Sequence, residues 1–563
     1  MGPTCGSGMR ARPFLAVVLA AILTVFGLGL GTAWLLWRHS PLQLAHRQAV
    51  VPRAARFVPR QAPLSLHLLS DGEEPLAYGR SVAPPRQRRQ AMDTVARLRD
   101  GAFAAAGLDY SNELRGWLAP GISFALLDLG EDAPPGWLLA LSSRDQGGAR
   151  RFLQRFWQTR SLAGTDLQVS RYRGMGLISG RGALVGQEPI PLATALIDDG
   201  LVLLASGRGV LEQALDVSQI DELNQSSDPA FRQGIEQLGE AALLLQASPG
   251  ALQRWMGVPS AAAADLNARG PLLASLRPSG QALMVNALLG GTGAISTASS
   301  AEDSAPASPE QQAAEAPLHA TPPAPDRQAL LAAAHGPSSS LALLQDPATL
   351  LQSPLLAPLV TLSRGAELHG GGEPSLLPEL VLRHSHGALL ASRLGDTWQL
   401  GSGADDPPLD SLAAPISAAG LNAAPLEVNG RTALVWTRLS TTSGNRRGDR
   451  DGVERLQATV EGWRSLQDNQ AWWGRSLADL QQAGRSHPDR ERVEQLERLG
   501  QENAALRWVV DGPEAQQVLA AWPLWRLVNA LAGGGLNEPV QGLGLAVDNA
   551  GESLRLQARL ELG

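Results

Sequence analysis

The sequence contains no lysine: all 47 basic residues are arginine. That absence removes lysine-dependent phosphate loops, kinase-type sites and Schiff-base chemistry. Cysteine is nearly absent as well, with Cys5 alone. Disulfide frameworks, cysteine-ligated zinc, iron–sulfur clusters and covalent haem attachment are therefore excluded. Charge is sparse, at 18% of residues with a net value of −7 and a sequence pI near 5.8. A nucleic-acid binder normally carries a basic surplus, so that class is set aside. Tyrosine is rare at three residues, yet there are fourteen tryptophans. The 563 residues leave room for several domains with cores of their own.

The longest uncharged run extends from Phe14 to Trp37. As a helix it spans about 36 Å, enough to cross a hydrocarbon core of about 30 Å. It is too long for the apolar region of a cleavable signal, and no A-x-A site follows it closely. Trp34, Trp37 and Arg38 form an interfacial anchor pattern, with indoles at headgroup depth and a guanidinium reaching water. The expectation is an uncleaved single-pass anchor. The flanking arginines, Arg10 and Arg12 before the run and Arg38, Arg47, Arg53 and Arg56 after it, favour a cytoplasmic carboxyl side by simple count. Large domains translocate largely regardless of that count, and a short basic tail is how signal anchors begin. The large domain is accordingly expected outside the cytoplasm. Gly27 and Gly31, in line with Ala16 and Ala20, give a small-residue stripe on which two such helices could pack as a homodimer.

Composition divides the remainder. A short tail (1–13) precedes the anchor (14–37), and a basic spacer follows it (38–56). Residues 290–326 are rich in Ala, Ser, Pro and Glu and poor in large apolar side chains, the composition of a disordered linker. It separates a first domain (57–289) from a second (327–563). Both repeat one local unit: a short apolar strand, a turn and a short amphipathic helix. Ser248–Pro249 and Asp346–Pro347 each place a capping oxygen before a proline at the first helical position. Asp199–Gly200 and Asn429–Gly430 read as hairpin turns. At the carboxyl end Leu554, Leu556, Ala558, Leu560 and Leu562 alternate with polar residues. Their partner strand is Leu543–Leu545–Val547, across a turn at Asn549–Gly551. The fold class is α+β: two related halves of antiparallel sheet with short helices. Residues 451–502, charged and glutamine-rich, read as a helical insertion or short coiled coil interrupted near Pro488.

The run from Ala55 (ARFVPRQAPLSLHLL), the segment from Leu108 (LDYSNELRGWLAPGISFALLDL), the unit from Trp137 and the glycine-rich hairpin from Arg171 occur in an order that resembles a known family. That family is the domain of unknown function 3352 family, found mainly in cyanobacteria. Glu113 and Trp117 occupy its acidic and tryptophan positions. The resemblance spans about residues 55 to 290 closely and the second half more loosely. It implies a protein anchored in an inner or thylakoid membrane and assigns no catalytic residues.

Candidate sites are few. His384 and His386, two apart, would share one face of a strand, with His369 upstream as a third imidazole; a solvated strand face accounts for them better than a metal site. Ser179 and Ser206 lie beside glycines, without G-x-S-x-G or a neighbouring histidine, and read as turns. The pairs Asp198–Asp199 and Asp405–Asp406 border turns. Arg86, Arg88 and Arg89 lead into a helix carrying Arg97 and Arg99, a patch that could touch anionic headgroups or simply face water. Trp472–Trp473 and Trp522 with Trp525 could line an apolar groove or fill a core. No cofactor is expected. The favoured reading is a non-enzymatic envelope scaffold that binds an unknown membrane or periplasmic protein. The alternatives are a tethered binder of lipid, pigment or another apolar ligand and, behind that, an unrecognised hydrolase.

Overall fold

The computed structural model describes residues 40–128, 135–161, 167–183, 189–290, 324–363, 376–394, 397–428, 430–443, 454–482, 487–500, 504–550 and 553–563. The expected membrane segment, with Phe14, Gly27, Gly31, Trp34, Trp37 and Arg38, lies outside the described residues. So do His369 and nearly all of the expected linker. Among the described residues no helix is long and apolar enough to cross a membrane.

The fold is α+β, with a large antiparallel sheet and helices on both faces. Ten strands come from the amino-terminal side: β1 (Leu64–Leu68), β2 (Leu118–Leu127), β3 (Gly136–Ser143), β4 (Gln168–Tyr172), β5 (Met175–Ala183), β6 (Pro189–Ile197), β7 (Leu201–Ala205), β8 (Leu243–Ala247), β9 (Leu272–Ser279) and β10 (Ala282–Leu289). Ten come from the carboxyl-terminal side: β11 (Ser340–Gln345), β12 (Ala388–Leu394), β13 (Thr397–Gly403), β14 (Leu421–Val428), β15 (Arg431–Ser443), β16 (Glu454–Gln467), β17 (Gln470–Gly474), β18 (Leu506–Asp511), β19 (Val540–Ala550) and β20 (Ser553–Leu562).

Across the first unit the order is β4-β5-β6-β7-β3-β2-β1-β8-β9-β10. From its far edge the second unit reads β14-β15-β16-β17-β13-β12-β11-β18-β19-β20. The second order is the first with ten added to every strand. β10 pairs antiparallel with β20, so the two units join edge to edge into one sheet. Open twisted sheets rarely exceed about ten strands, and here each ten-strand unit reaches that size before the seam doubles it.

The seam carries an internal two-fold relation. The last hairpins close with Ser279 opposite Ala282 and Ala550 opposite Ser553. Counting on equally from Ala282 and Ser553 reaches Asn286 and Gln557, and these two stand directly opposed across the seam. Equivalent positions that face each other mark an axis through the pair. One apolar core extends across the seam, from Ala251, Leu272 and Leu289 to Trp508, Leu519 and Val547. A helical contact reinforces it: the helix Arg88–Ala105 packs on the helix Pro523–Leu531. Gly101 makes this possible, since a Cβ there would lie 1.9 Å from the Leu531 carbonyl oxygen.

Local chemistry explains most elements. β7 and β17 are buried along their whole length, so neither shows an in–out alternation, and β7 reads as a continuous apolar run. Ser248 and Asp346 cap their helices as their dipeptides imply, accepting from the backbone N–H of Ala251 and Thr349. The Asp198–Asp199 turn joins β6 to β7, with both aspartates at positive φ.

Three expectations need correction. Residues 454–474, read as part of a helical insertion, are strands β16 and β17; among the described residues of 451–502, helix is confined to the short segments Leu477–Gln482 and Arg490–Glu497. The reason is the alternation Leu456, Ala458, Val460 against Arg455, Gln457, Thr459, a period of two masked by helix-favouring composition. His384 is not on a strand but ends the helix Leu376–His384, where Arg383 and His384 suit the negative helix end. The basic stretch before residue 57 is not a bare spacer either. It forms 3-10 turns at Pro41–His46 and Arg53–Phe57 that bury Leu44, Ala54, Ala55 and Phe57.

Candidate functional site

A cluster of buried polar side chains lies in the middle of the first unit. β1 sits between β2 and β8, which sets His67 opposite Ser123 and Ser65 opposite Gln246 on one face of the sheet. Gln225, on the 3-10 turn Gln225–Ser227 between β7 and β8, covers them. Ser123 Oγ lies 2.8 Å from His67 Nδ1, and Gln225 Oε1 lies 2.9 Å from His67 Nε2. The Gln225 amide donates to Ser65 Oγ at 2.9 Å and to Gln246 Oε1. Because Gln225 presents a carbonyl oxygen, the imidazole proton sits on Nε2 and the Ser123 hydroxyl donates to Nδ1.

A serine hydrogen-bonded to histidine invites a catalytic reading, and the geometry argues against it. The group that orients the ring is a neutral amide rather than a carboxylate, so it stabilises an imidazolium far less than a triad's carboxylate would. His67 is fully buried and Ser123 is 3% exposed, leaving no approach for a substrate. Burial also pushes His67 down to about 4, only partly offset by the Gln225 hydrogen bond, so the ring is neutral near pH 7. The cluster ties a turn to the sheet and holds a proton-sensitive group in a dry place.

The sites singled out in the sequence are dispersed. His384 donates from Nδ1 to the Leu380 carbonyl, within its own helix. His386 is exposed and meets Asp346 at 3.1 Å, while its backbone N–H donates to Asp406. Among the described residues no cluster of His, Cys, Asp or Glu could hold a metal ion. Ser179 lies within β5, opposite Gln168 and Ala193, rather than in a turn. Ser206 Oγ accepts from the Trp137 N–H and pins the end of β7. Asp199 receives both arms of Arg150. Of the basic patch, Arg99 is spent on Glu73, Asp100 and the face of Tyr110.

The motif beginning at Leu108 is a packing device. Asp109 caps the turn Tyr110–Leu114, and the Trp117 indole donates to the Glu113 carbonyl. The Glu113 carboxylate pairs with Arg160 at 3.2 Å, and both are largely buried. The tryptophans mostly fill the second core. Trp436 and Trp473 stack with centroids 5.6 Å apart, and Trp463 and Trp508 give their indole protons to the Ser476 carbonyl and Ser340 Oγ.

One surface feature had no counterpart in the sequence reading. β14 pairs with β15 only up to Arg438, so residues 439–443 and 454–458 project as a two-stranded ribbon. Leu426, opposite buried Ala433, begins a stripe that continues through Thr437 and Leu439 to Leu456 on the partner strand. Leu426, Leu439 and Leu456 are 41%, 51% and 69% exposed. Between them that face carries no charged side chain. The alternation in both strands was the available signal.

The model of the family described as a protein of unknown function (DUF3352) matches residues 17–346. The chain belongs to this family. Its match ends just past β11, so it takes in the whole first unit and the entry to the second. No curated protein matches the chain. Among solved structures it is similar to TP0453 in crystal form I, at 11% identity, covering 42% of this chain and 77% of that one with a TM-score of 0.25. Crystal form IV of the same protein gives 11% identity, 42% and 79% coverage and a TM-score of 0.24.

Proposed function

We propose that the chain is a single-pass, membrane-anchored interaction protein of the cell envelope, without enzymatic activity. On this reading residues 14–37 hold it in an inner or thylakoid bilayer, with Trp34, Trp37 and Arg38 at the interface. The large sheet then stands outside the cytoplasm and meets a membrane or periplasmic protein, and anchors can pair through Gly27 and Gly31. The observation that carries the reading is the charge-free leucine stripe on the β14–β16 ribbon. It continues the inner face of a core beyond the helices that cover it, and exposed contiguous apolar faces of this kind mark interaction sites. A binder of lipid, pigment or another apolar ligand would need an open apolar cavity. Of the tryptophans that would line one, Trp473 is stacked on Trp436 and Trp472 is buried in the core instead.

The test is photocrosslinking in cells, with a photoreactive residue in place of Leu439 or Leu456 and, as a control, of Gln457 on the opposite face. Discrete adducts from the leucine positions and none from Gln457 are expected. No adduct, or the same adduct from both faces, would sink the assignment of this surface.

A further inference from the structure

We infer that the first unit contains an acid-released latch, in which protonation of His67 detaches the Gln225-bearing turn while the second unit stays closed. The walls around the imidazole are unequal. Ser123, Ser65 and Gln246 stand on strands laddered on both sides, and Phe231 approaches from the helix Pro229–Leu238 with its ring centroid 6.1 Å away. Gln225 alone comes from a short 3-10 turn. That turn is held by Gln225 N–H to the Val58 carbonyl, Arg60 N–H to the Leu223 carbonyl and the Arg60–Asp228 pair at 3.0 Å.

An imidazolium formed in place finds no anion. Of the charged groups on the neighbouring elements, Arg60 pairs with Asp228, Arg232 donates to the Ser226 carbonyl and Glu236 is exposed, and every direct neighbour of the ring is neutral. Protonation also takes away the acceptor of the Ser123 hydroxyl. The buried charge must therefore be hydrated, and the removable wall is the turn. The direction follows from linkage. The ring binds its proton more weakly folded than open, so the closed state is fully favoured above the open-state value of 6.5. That advantage is lost as pH falls towards about 4. Across that interval the opening equilibrium rises by up to about 300-fold, the ratio equivalent to the shift.

The second unit supplies the control. Followed outward from the seam, the register places Leu341, Leu343, Leu390 and Val509 where the first unit has Ser65, His67, Ser123 and Gln246. The experiment is hydrogen exchange by mass spectrometry on the full chain in detergent, at pH 7 and pH 4, corrected for the intrinsic pH dependence of exchange. Corrected exchange of peptides covering 219–228 is expected to rise by one to two orders of magnitude at the lower pH, with little change in 338–345 and 488–498. In S65L/H67L/S123L/Q225L/Q246V, which copies the apolar set, the pH response of 219–228 should vanish. Should that variant not fold, the wild-type comparison between units still decides. No response in 219–228, or equal responses in both units, overturns the latch.

Discussion

The same ten-strand plan is filled in two ways at its centre. In the first unit the positions around β1 are Ser65, His67, Ser123 and Gln246, joined through Gln225. In the second the equivalent positions are Leu341, Leu343, Leu390 and Val509, packed with Leu496 and Leu499 from the helix Arg490–Glu497 and the residues after it, with buried Arg507, which does not titrate near neutral pH, opposite Leu343. Both solutions fold onto one topology, so the plan does not require either chemistry. An apolar centre tolerates small shifts and ignores pH. A polar one has every partner specified and is costly when one is lost, because a buried group left unpaired keeps its full desolvation penalty.

The comparison can be strained most severely at the buried ion pairs. Each unit contains one, Arg160–Glu113 in the first and Arg393–Glu514 in the second, and all four side chains are largely buried. Arg160→Ala is expected to cost about 3–5 kcal/mol in denaturant unfolding, since it leaves a carboxylate uncompensated. Next come the centres themselves. Leu343→Ala should cost about 2–5 kcal/mol through the cavity it opens, with no dependence on pH between 4 and 7. Gln225→Ala should cost about 1–3 kcal/mol by orphaning His67, Ser65 and Gln246. If the two variants gave the same pH profile, the distinction between the centres would fail. Gly101→Ala follows at about 1–3 kcal/mol, because its methyl group meets backbone rather than a movable side chain. Its signature is faster exchange in 523–531 of the other unit. The smallest effect belongs to Leu456→Arg, within about 0.5 kcal/mol in thermal unfolding, while abolishing any adduct captured from the ribbon.

Much of this architecture was legible because its signals are local. The pairing of β19 with β20 could be read from the alternation of Leu554 to Leu562 and its turn, and the register agrees, with Leu543 opposite Leu560. Caps at Ser248 and Asp346 were equally plain. The strand Glu454–Gln467 was not, since Glu, Gln and Arg favour helix and its alternation rests on three modest apolar residues. His384 misled for a related reason: H-x-H suits a strand, but the preceding turn was already helical. The His67 cluster was invisible altogether. Its members lie 56 and 158 residues apart from the histidine, and nothing in LSLHLL announces a polar partner. Long-range pairing of single polar residues leaves no periodic trace.

The seam has an implication for which edges can mate. Across it Met284 faces Arg559 and Leu288 faces Arg555. About the axis at Asn286 and Gln557, each arginine corresponds to an apolar residue on the other strand. Two β20 strands brought together in this register would set Arg555 against Arg559 on both sides, a like-charge clash. Two β10 strands would set Met284 against Leu288 and lose the contact that the Arg559 guanidinium makes with the Met284 sulfur at 3.7 Å. The mixed seam avoids both. The two units thus meet as a pseudo-two-fold pair whose mating strands are complementary rather than alike.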